Sequence, residues 1–353
     1  MTTELSDHIA DIAADMRGPV TPRAHSVLGI WAELTKARLN AMVLVTTAVG
    51  CALASAGPIP WRILAWTTLG TALAAASASL LNQLFERRRD ALMLRTRGRP
   101  LPAQQIGPAT VFTVALITGY AGSAVLADTV GLLPAALAAF NILLYALLYT
   151  PLKPLTTFNT IIGAICGAIP PVIGWTAVTG RMDQGAWLLG GLLFVWQIPH
   201  FLALAWMYRE DYARGGHAML PVRDTTGELT AQVVLLTTLP LIPLGLSATL
   251  LGLAGIWSAV VTLAAGLGFV ALSVEFYRKR DDRTARRVFL GSITYLPVVL
   301  LAMTLDRGPV SIEAFFRGRG DATVQTIPEP LKATPCGTVR TTEQATRPSG
   351  RPR

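Results

Sequence analysis

Long stretches without a charged side chain constrain this chain more than any other feature of its sequence. Five of them span residues 40–61, 63–85, 106–127, 129–151 and 185–208. A helix needs about 20 residues to cross the hydrocarbon core of a bilayer, so each stretch is long enough for one crossing. Charged residues make up 14% of the chain and hydrophobic residues 52%. This composition excludes a water-soluble globule, a disordered chain and a disulfide scaffold.

Hydropathy in windows of about 19 residues predicts the fold class, an all-α polytopic transmembrane bundle of about nine helices. The predicted spans are residues 39–56, 61–84, 108–127, 130–149, 160–178, 186–206, 230–251, 256–276 and 287–305. Small residues are frequent in them, as in the run 74–79, and small residues let helix backbones approach closely. The pattern therefore indicates a compact bundle.

Basic residues alternate between loops, which predicts the orientation of the chain in the membrane. They collect before the first span and after the second, fourth, sixth and eighth, whereas the other loops carry only Arg62 and Arg181 close to the membrane. Under the positive-inside rule the basic loops and the N-terminus lie in the cytoplasm, and nine spans leave the C-terminus outside. We therefore expect a multi-pass protein of a bacterial cell membrane.

The two ends of the chain differ from the apolar middle. The first thirty residues contain several acids and no uninterrupted apolar core, which is typical neither of a secretory signal nor of a mitochondrial transit peptide. The end of the chain is rich in Thr, Pro, Arg and Gly and has little to bury. We expect a cytoplasmic extension over residues 1–30, a membrane domain over 31–306 and a disordered tail over 307–353.

Three oxygen-bearing side chains follow the second predicted span at helical spacing. Asn82, Glu86 and Asp90 are separated by four residues each, which aligns them on one face of a helix as it leaves the membrane. Oxygen ligands of this kind suit Mg²⁺, which proteins hold with one or two carboxylates while phosphates of the substrate complete the shell. The row predicts a magnesium site that needs an anionic guest.

Three arginines lie directly after this row. Arg95, Arg97 and Arg99 alternate just before Pro100 and Pro102, a pattern that predicts an extended segment with the three guanidiniums on one side. Arginine binds phosphate oxygens through a planar fork. The combination indicates a site for a diphosphate ester, although arginines at a membrane boundary also serve as topology determinants or contact lipid headgroups.

A second polar segment follows the sixth predicted span. Glu210 and Asp211 lie beside Arg209 and Arg214, at the same predicted membrane face as the first row, and we expect them to hold a second cation on the same diphosphate. His200 lies within the apolar span itself, where polar side chains are costly and tend to be functional. It is a candidate to touch substrate, or else a partner in a hydrogen bond between helices.

Together these segments resemble the UbiA superfamily of intramembrane prenyltransferases. The run from Asn82 through Arg99 is similar to the family's first aspartate-rich motif. The segments 149–153, 196–214 and 285–297 are similar to the haem branch, including the Trp-Gln-Ile-Pro-His-Phe form at 196–201. The similarity covers about residues 30–306. The chain departs from the family at Ala37, Arg88 and His217, and we assign no role to Arg88 or His217.

The resemblance implies a reaction and its participants. Haem B and farnesyl diphosphate are the expected substrates, haem O and diphosphate the products, and Mg²⁺ the cofactor. Lys36, Arg38 and Lys153 join the three arginines as implied diphosphate ligands, and His200 is an implied catalytic residue. A haem A synthase or a terminal oxidase is the protein partner that this activity suggests, and no nucleic acid is expected.

Two other functions compete with this one. A prenyltransferase acting on an aromatic or quinone precursor has the same first motif, and only the haem-type second motif argues against it. A membrane transporter has a similar segregation of charges, but its key polar groups are expected near mid-membrane and often in inverted repeats. Here the acids and arginines gather at one face, and no internal repeat is evident.

Overall fold

The computed structural model describes residues 26–308, and this part of the chain is helical apart from turns and one isolated bridge between Ala254 and Arg307. The predicted N-terminal extension lies mostly outside the described residues, and so does the predicted tail beyond residue 308. The helices are α1 (Val27–Leu34), α2 (Ala37–Ala54), α3 (Trp61–Asp90), α4 (Pro108–Thr129), α5 (Leu132–Leu143), α6 (Asn159–Thr179), α7 (Gln184–Met207), α8 (Arg209–Arg214), α9 (Leu220–Arg223), α10 (Glu228–Thr238), α11 (Leu241–Leu250), α12 (Ile256–Lys279) and α13 (Asp282–Leu305).

Nine helical segments between residues 26 and 308 are long and apolar enough to cross a membrane, which confirms the predicted fold class. Seven of them are single helices: α2, α3, α4, α6, α7, α12 and α13. The fourth span is α5 with its continuation to Leu152, and the seventh is the pair α10 and α11. This pair is interrupted at Leu239 and Pro240 because proline has no N–H to continue the helical hydrogen-bond ladder.

The helix α6 is the most buried of these spans and packs against α2, α5 and α7. Its contact with α2 depends on two glycines. A Cβ atom on Gly174 would overlap the carbonyl oxygen of Thr47, and one on Gly50 would overlap that of Pro171. Small residues of this kind replace side-chain interdigitation by direct backbone contact, which is a common way for membrane helices to associate.

The end of α5 is wound more loosely than an α-helix. Residues Leu144–Tyr149 form a π-helical segment, and a final turn, Thr150–Leu152, follows it. The backbone N–H of Thr150 donates to the carbonyl oxygen of Tyr145, five residues earlier, and its hydroxyl donates to the same oxygen at 2.8 Å. Such π-helical turns are frequent at functional sites. This one carries the chain to Lys153 beside the end of α3.

The basic loops meet at one end of the bundle. The loop after α3 is joined to α8 by hydrogen bonds from Leu94 to Asp211, and Arg209 is joined to Asp282 at the start of α13 by an ion pair of 2.5 Å. The backbone N–H of Ala218 donates to the carbonyl oxygen of Lys153 at 2.7 Å. The two polar loops therefore contact each other directly at one end of the bundle, and their place at a membrane surface stays a prediction.

Candidate active site

The last turns of α3 carry the predicted row of oxygen ligands, and all three side chains are buried. Asn82 is fully covered, and Glu86 and Asp90 are 6% and 1% exposed. Their alignment follows from the helix reaching Asp90 without a break, six residues beyond the end of the predicted span. Burying two carboxylates costs free energy unless each has a charged partner, and other segments of the chain supply these partners.

Each member of the row contacts a basic residue from a different segment. Lys36 Nζ donates to Asn82 Oδ1 at 2.6 Å, Lys153 Nζ lies 2.7 Å from Glu86 Oε1, and Arg99 donates to Asp90 Oδ2 at 2.8 Å. The first comes from the junction of α1 and α2, the second from the end of the α5 span and the third from the loop after α3. Three predicted diphosphate ligands thus surround the predicted metal ligands.

The backbone at the junction between α1 and α2 directs the side chain of Lys36 toward Asn82. Lys36 adopts a left-handed backbone conformation with a φ of 50° between α1 and α2. Burial, followed by the nearby positive charges of Lys153 and Arg99, lowers the pKa of Lys36 to about 7. Glu86 and Asp90 oppose this shift without cancelling it, so an added anionic ligand would favour the charged form of Lys36.

A hydrogen bond to Thr150, directly after the π-helical segment, orients the amide of Asn82. Its Nδ2 donates to Thr150 Oγ1 at 3.0 Å, and because that hydroxyl donates in turn to the Tyr145 carbonyl oxygen, the amide oxygen is left facing Lys36. The ring of Tyr149 lies under Lys153, with Nζ 4.6 Å from its centroid. Burial lowers the pKa of Lys153, but Glu86 together with the nearby Tyr145 and Tyr212 outweighs burial and the net pKa is raised, so this lysine stays charged.

The arginine segment does not have the predicted extended form. Residues 91–100 form successive turns, in which the N–H of Arg97 donates to the Met93 carbonyl at 2.9 Å and that of Arg99 donates to the Thr96 carbonyl at 3.0 Å. The prediction was wrong because the Thr96 hydroxyl donates to the carbonyl oxygen of Asp90 at 2.9 Å and folds the segment back on the end of α3.

The arginines consequently point to different partners instead of forming one fan. Arg99 pairs with Asp90, whereas the guanidinium of Arg95 lies 5.4 Å from the ring centroid of Tyr208 and 5.9 Å from that of Tyr212. Arg97 is partly buried in the same turns. Arg38 is exposed in the first turn of α2, and no hydrogen bond or ion pair connects it to the row within residues 26–308.

Asp211 holds the first loop against the second. It is 8% exposed, its Oδ1 accepts from the N–H of Leu94 at 2.8 Å, and its Oδ2 accepts from the N–H of Arg95 at 3.4 Å. Arg214 lies 3.7 Å from the same carboxylate. Glu210 is exposed and lines a neighbouring cleft of about 400 Å³ together with Asp211 and Arg95. The predicted role of Glu210 and Asp211 as metal ligands stays a prediction.

The donor set of the row fits a hard cation. Amide and carboxylate oxygens are the ligands that Mg²⁺ prefers, and two carboxylates leave coordination positions for phosphate oxygens and water. In the described part of the chain no three His, Cys, Asp or Glu side chains gather as a preformed metal cage. A cation held by the row would take its remaining ligands from elsewhere, such as a substrate phosphate or water.

His200 lies apart from the row, inside α7. Its Nδ1 is 2.8 Å from Ser292 Oγ of α13, and the rings of Trp196 and Phe289 stack on its imidazole with centroids 4.9 Å and 5.0 Å away. The structure thus gives it a hydrogen-bond partner between helices, the alternative that the sequence left open, and no contact with Asp90 or Asp211.

Sequence reasoning missed several residues of the site. Tyr145 was assigned to an apolar span, and Tyr149 and Thr150 entered only within the haem-type segment 149–153, although the tyrosines lie four residues apart and Tyr149 four residues before Lys153. His217 was set aside, yet it is 4% exposed, it packs edge-on against Tyr212, and its Nδ1 has no partner among the described residues. Burial lowers the pKa of His217, and Glu86 opposes that shift.

Between residues 26 and 308, a bundle of nine spans carries a buried, cation-paired row of oxygen ligands at one end, an arrangement that suits an intramembrane enzyme acting on diphosphates. The model of the UbiA prenyltransferase family matches residues 43–296, and the chain belongs to this family. Solved structures agree on the fold. A digeranylgeranylglyceryl phosphate synthase superposes with a TM-score of 0.67 at 16% identity, covering 79% of this chain and 98% of that one. A UbiA homologue from Archaeoglobus fulgidus, bound to GPP and Mg²⁺, superposes with a TM-score of 0.58 at 14% identity, covering 78% and 99%.

Other relatives have a much higher sequence identity to this chain than these solved structures do. The chain is 42% identical to the mitochondrial protoheme IX farnesyltransferase of Homo sapiens over 300 residues, which cover 85% of this chain and 66% of the human protein. It is 41% identical to the protoheme IX farnesyltransferase of Solibacter usitatus over 286 residues, which cover 78% of this chain and 97% of that relative. The chain thus spans almost two thirds of the human relative and nearly all of the other.

Proposed function

We propose that this chain is a protohaem IX farnesyltransferase, which joins the farnesyl group of farnesyl diphosphate to haem B and adds water, giving haem O and diphosphate. The observation that carries the proposal is the pairing of three buried oxygen ligands with three basic residues at one end of a membrane bundle. Relatives that carry this name at 41–42% identity support the choice of haem as the acceptor.

The basic residues have the first role, which is to bind the diphosphate. Lys36, Lys153 and Arg99 surround the row from three segments, so a diphosphate beside the row would contact all three. Arg95 and Arg97 belong to the loop that closes this end of the bundle, and Arg38 lies further out. Fixed positive charges aimed at the leaving group stabilise the charge that develops as the C–O bond breaks, which is often the largest single contribution to catalysis.

Asn82, Glu86 and Asp90 would hold Mg²⁺, and Glu210 and Asp211 are proposed for a second cation. Bound Mg²⁺ neutralises charge on the phosphate oxygens and makes diphosphate a better leaving group. The row itself keeps the lysines and Arg99 in place when the substrate is absent, because each oxygen ligand is already paired with one of them.

The apolar interior has the second role, which is to protect the allylic cation left by ionisation. The π electrons of a haem vinyl group attack this cation, and water then captures the new cation beside the porphyrin and gives up a proton. Phe194, Trp196, Phe201 and Trp206 are proposed to line the path of the prenyl chain. Aromatic faces attract a cation without reacting with it, so rings such as Tyr145 and Tyr149 suit the site of ionisation.

The proposal extends to the surroundings of the enzyme. The basic end of the bundle, and the N-terminus with it, is proposed to face the cytoplasm of a bacterial cell membrane. Residues 31–306 are proposed as the catalytic domain. A haem A synthase or a terminal oxidase is the proposed partner, because haem O is consumed by enzymes of that kind.

The test uses membranes that contain the full chain, supplied with haem B, farnesyl diphosphate and Mg²⁺, with haem O measured by chromatography and mass. We expect haem O from the wild type, none after chelation, and recovery on adding Mg²⁺. Asp90→Ala should lower kcat about 100-fold or more, as loss of an electrostatic contact to the leaving group does. Asp128→Ala, an exposed acid at the opposite end of α4, is the control and should keep full activity.

Two results would contradict the proposal. Prenylation of 4-hydroxybenzoate in preference to haem B would assign the chain to the branch that acts on quinone precursors. Wild-type turnover in Asp90→Ala would remove the row from the mechanism.

A further inference from the structure

The contact between α7 and α13 fixes both the position and the orientation of the His200 imidazole. His200 Nδ1 lies 2.8 Å from Ser292 Oγ, and Ser292 is fully buried. The indole N–H of Trp196 donates to the backbone carbonyl oxygen of Ser292 at 2.8 Å, one turn before His200 on the same helix. The imidazole is therefore fixed at its edge by Ser292 and covered by the stacked rings of Trp196 and Phe289.

The single proton of the Ser292 hydroxyl is already used. Ser292 Oγ lies 2.6 Å from the backbone carbonyl oxygen of Phe289, and a carbonyl oxygen can only accept. Because the hydroxyl donates there, its oxygen must accept from His200, and the hydrogen atom of that bond must be on Nδ1. In a neutral imidazole only one nitrogen is protonated, so Nε2 is left with its lone pair.

Within the described part of the chain, no residue bonds to this lone pair. Nε2 of His200 makes no hydrogen bond to any residue between 26 and 308, and it is not among the sealed polar atoms without a partner. A polar atom within a membrane span that is accessible and makes no hydrogen bond is energetically costly. Such groups tend to mark a functional site.

We propose that Ser292 is a positioning residue that holds His200 in the Nδ1-protonated tautomer, so that Nε2 offers its lone pair to an electron-pair acceptor in the reaction. The proposal rests on the proposed function, which supplies two acceptors. One is the haem iron, to which Nε2 would form a dative bond. The other is the water that captures the second cation: as its oxygen bonds to carbon, one O–H bond breaks and the proton passes to Nε2, leaving imidazolium.

The tautomer is tested on the purified protein without substrates, so this result is independent of the farnesyltransferase assay. The chain has four histidines, and ¹⁵N-histidine labelling with His200→Gln as the assignment control isolates the signals of His200. We expect a directly bonded proton on Nδ1 and none on Nε2. Ser292→Ala should make Nε2–H populated. A wild-type His200 protonated on Nε2 overturns the proposal.

Kinetics test the use of the lone pair. Ser292→Ala should lower kcat for haem O formation about 10-fold to 100-fold, the usual cost of removing a group that orients a histidine, with KM for farnesyl diphosphate unchanged. Ser273→Ala is the matched control, because Ser273 is also fully buried, donates to the backbone oxygen of Phe269 at 3.0 Å and contacts a second hydroxyl, that of Thr238. It should keep wild-type kcat.

The two acceptors give different spectra. If iron is the acceptor, His200→Gln changes the visible absorption of haem bound to the protein. If water is the acceptor, that absorption is unchanged and kcat of the wild type falls in D₂O more than kcat of Ser292→Ala. A Ser292→Ala protein with an altered tautomer and wild-type kcat would overturn the functional part of the proposal.

Discussion

Lys153 Nζ and Glu86 Oε1 lie 2.7 Å apart where the end of the α5 span meets α3, with side chains 15% and 7% exposed. Among residues 26–308, neither charge has another ionic partner at this distance. Removing one member of a buried pair leaves the other uncompensated, which typically costs about 3–5 kcal/mol. Each member is therefore needed by the other at the end of the bundle where we propose that diphosphate binds.

We expect Lys153→Met to lower the thermal stability of the purified protein and to raise KM for farnesyl diphosphate at least about tenfold, because a phosphate contact is worth more than 1.4 kcal/mol in a buried site. Lys279→Met is the control. Lys279 contacts Glu275 at 2.8 Å, but its side chain is 58% exposed, and exposed pairs of this kind contribute about 0–1 kcal/mol. Equal effects of the two substitutions would contradict the assignment.

We expect the order of the loop after α3 to depend on the carboxylate of Asp211. Asp211→Ala leaves the N–H groups of Leu94 and Arg95 without their acceptor, and we expect faster amide hydrogen exchange there and a fall in kcat/KM. The cost in stability should be about 1–3 kcal/mol. Asp183→Ala is the control at the opposite end of the bundle: Asp183 also accepts from two backbone N–H groups, those of Gly185 and Ala186, and its loss should leave kcat/KM unchanged.

We expect Asp224 to make the stability of the protein fall at low pH. Burial raises its pKa, but hydrogen bonds from Thr230, Thr226 and Gly227 outweigh burial, so the folded pKa lies below the ordinary value of 3.8. A depressed carboxyl pKa contributes stability above the unfolded pKa, and this contribution disappears as pH falls through the folded value. At pH 7 the free energy of unfolding of Asp224→Asn should be about 1 kcal/mol lower than that of the wild type. This difference between the two proteins should narrow below about pH 4. A difference independent of pH would contradict this account.

The contact between α2 and α6 predicts the effect of a single methyl group. Gly174→Ala directs its Cβ atom at the backbone of Thr47, so the helices must separate, and we expect a loss of about 1–3 kcal/mol in thermal unfolding. Gly191→Ala in α7 meets no atom within 4 Å and serves as the control, with no loss of stability. A Gly174→Ala protein as stable as the wild type would mean that α2 and α6 are not in backbone contact.

Labelling tests the proposed orientation. Cys51 and Cys166 are buried, so in a Cys336→Ser background an introduced cysteine at an exposed position is the reactive one. Arg181→Cys should react with a membrane-impermeant maleimide in intact cells, whereas Arg223→Cys should react only after permeabilisation; both positions are exposed. The reverse pattern would invert the proposed topology.

Hydropathy and helical periodicity were sufficient to predict the spans and the row on α3, because both depend on residues close together in the chain. The partners of the row were not predictable in this way. Lys36 is 46 residues from Asn82, and which cation reaches which oxygen depends on how α2, α3 and α5 pack. The arginine segment failed for a local reason: alternation with proline favoured an extended chain, but one hydroxyl, that of Thr96, captured the last carbonyl of α3.

The π-helical segment at Leu144–Tyr149 gives the site a dependence on the number of residues as well as on their chemistry. A π-helical turn takes up one extra residue at nearly the same total rotation, so deleting one residue from this segment would restore α-helical winding and leave the helix after it in nearly the same phase. Lys153 would then still face Glu86, whereas one residue added to the span would turn it away by about 100° although its own codon and those of its neighbours were untouched. A variant with such an insertion would keep every predicted ligand and lose the site.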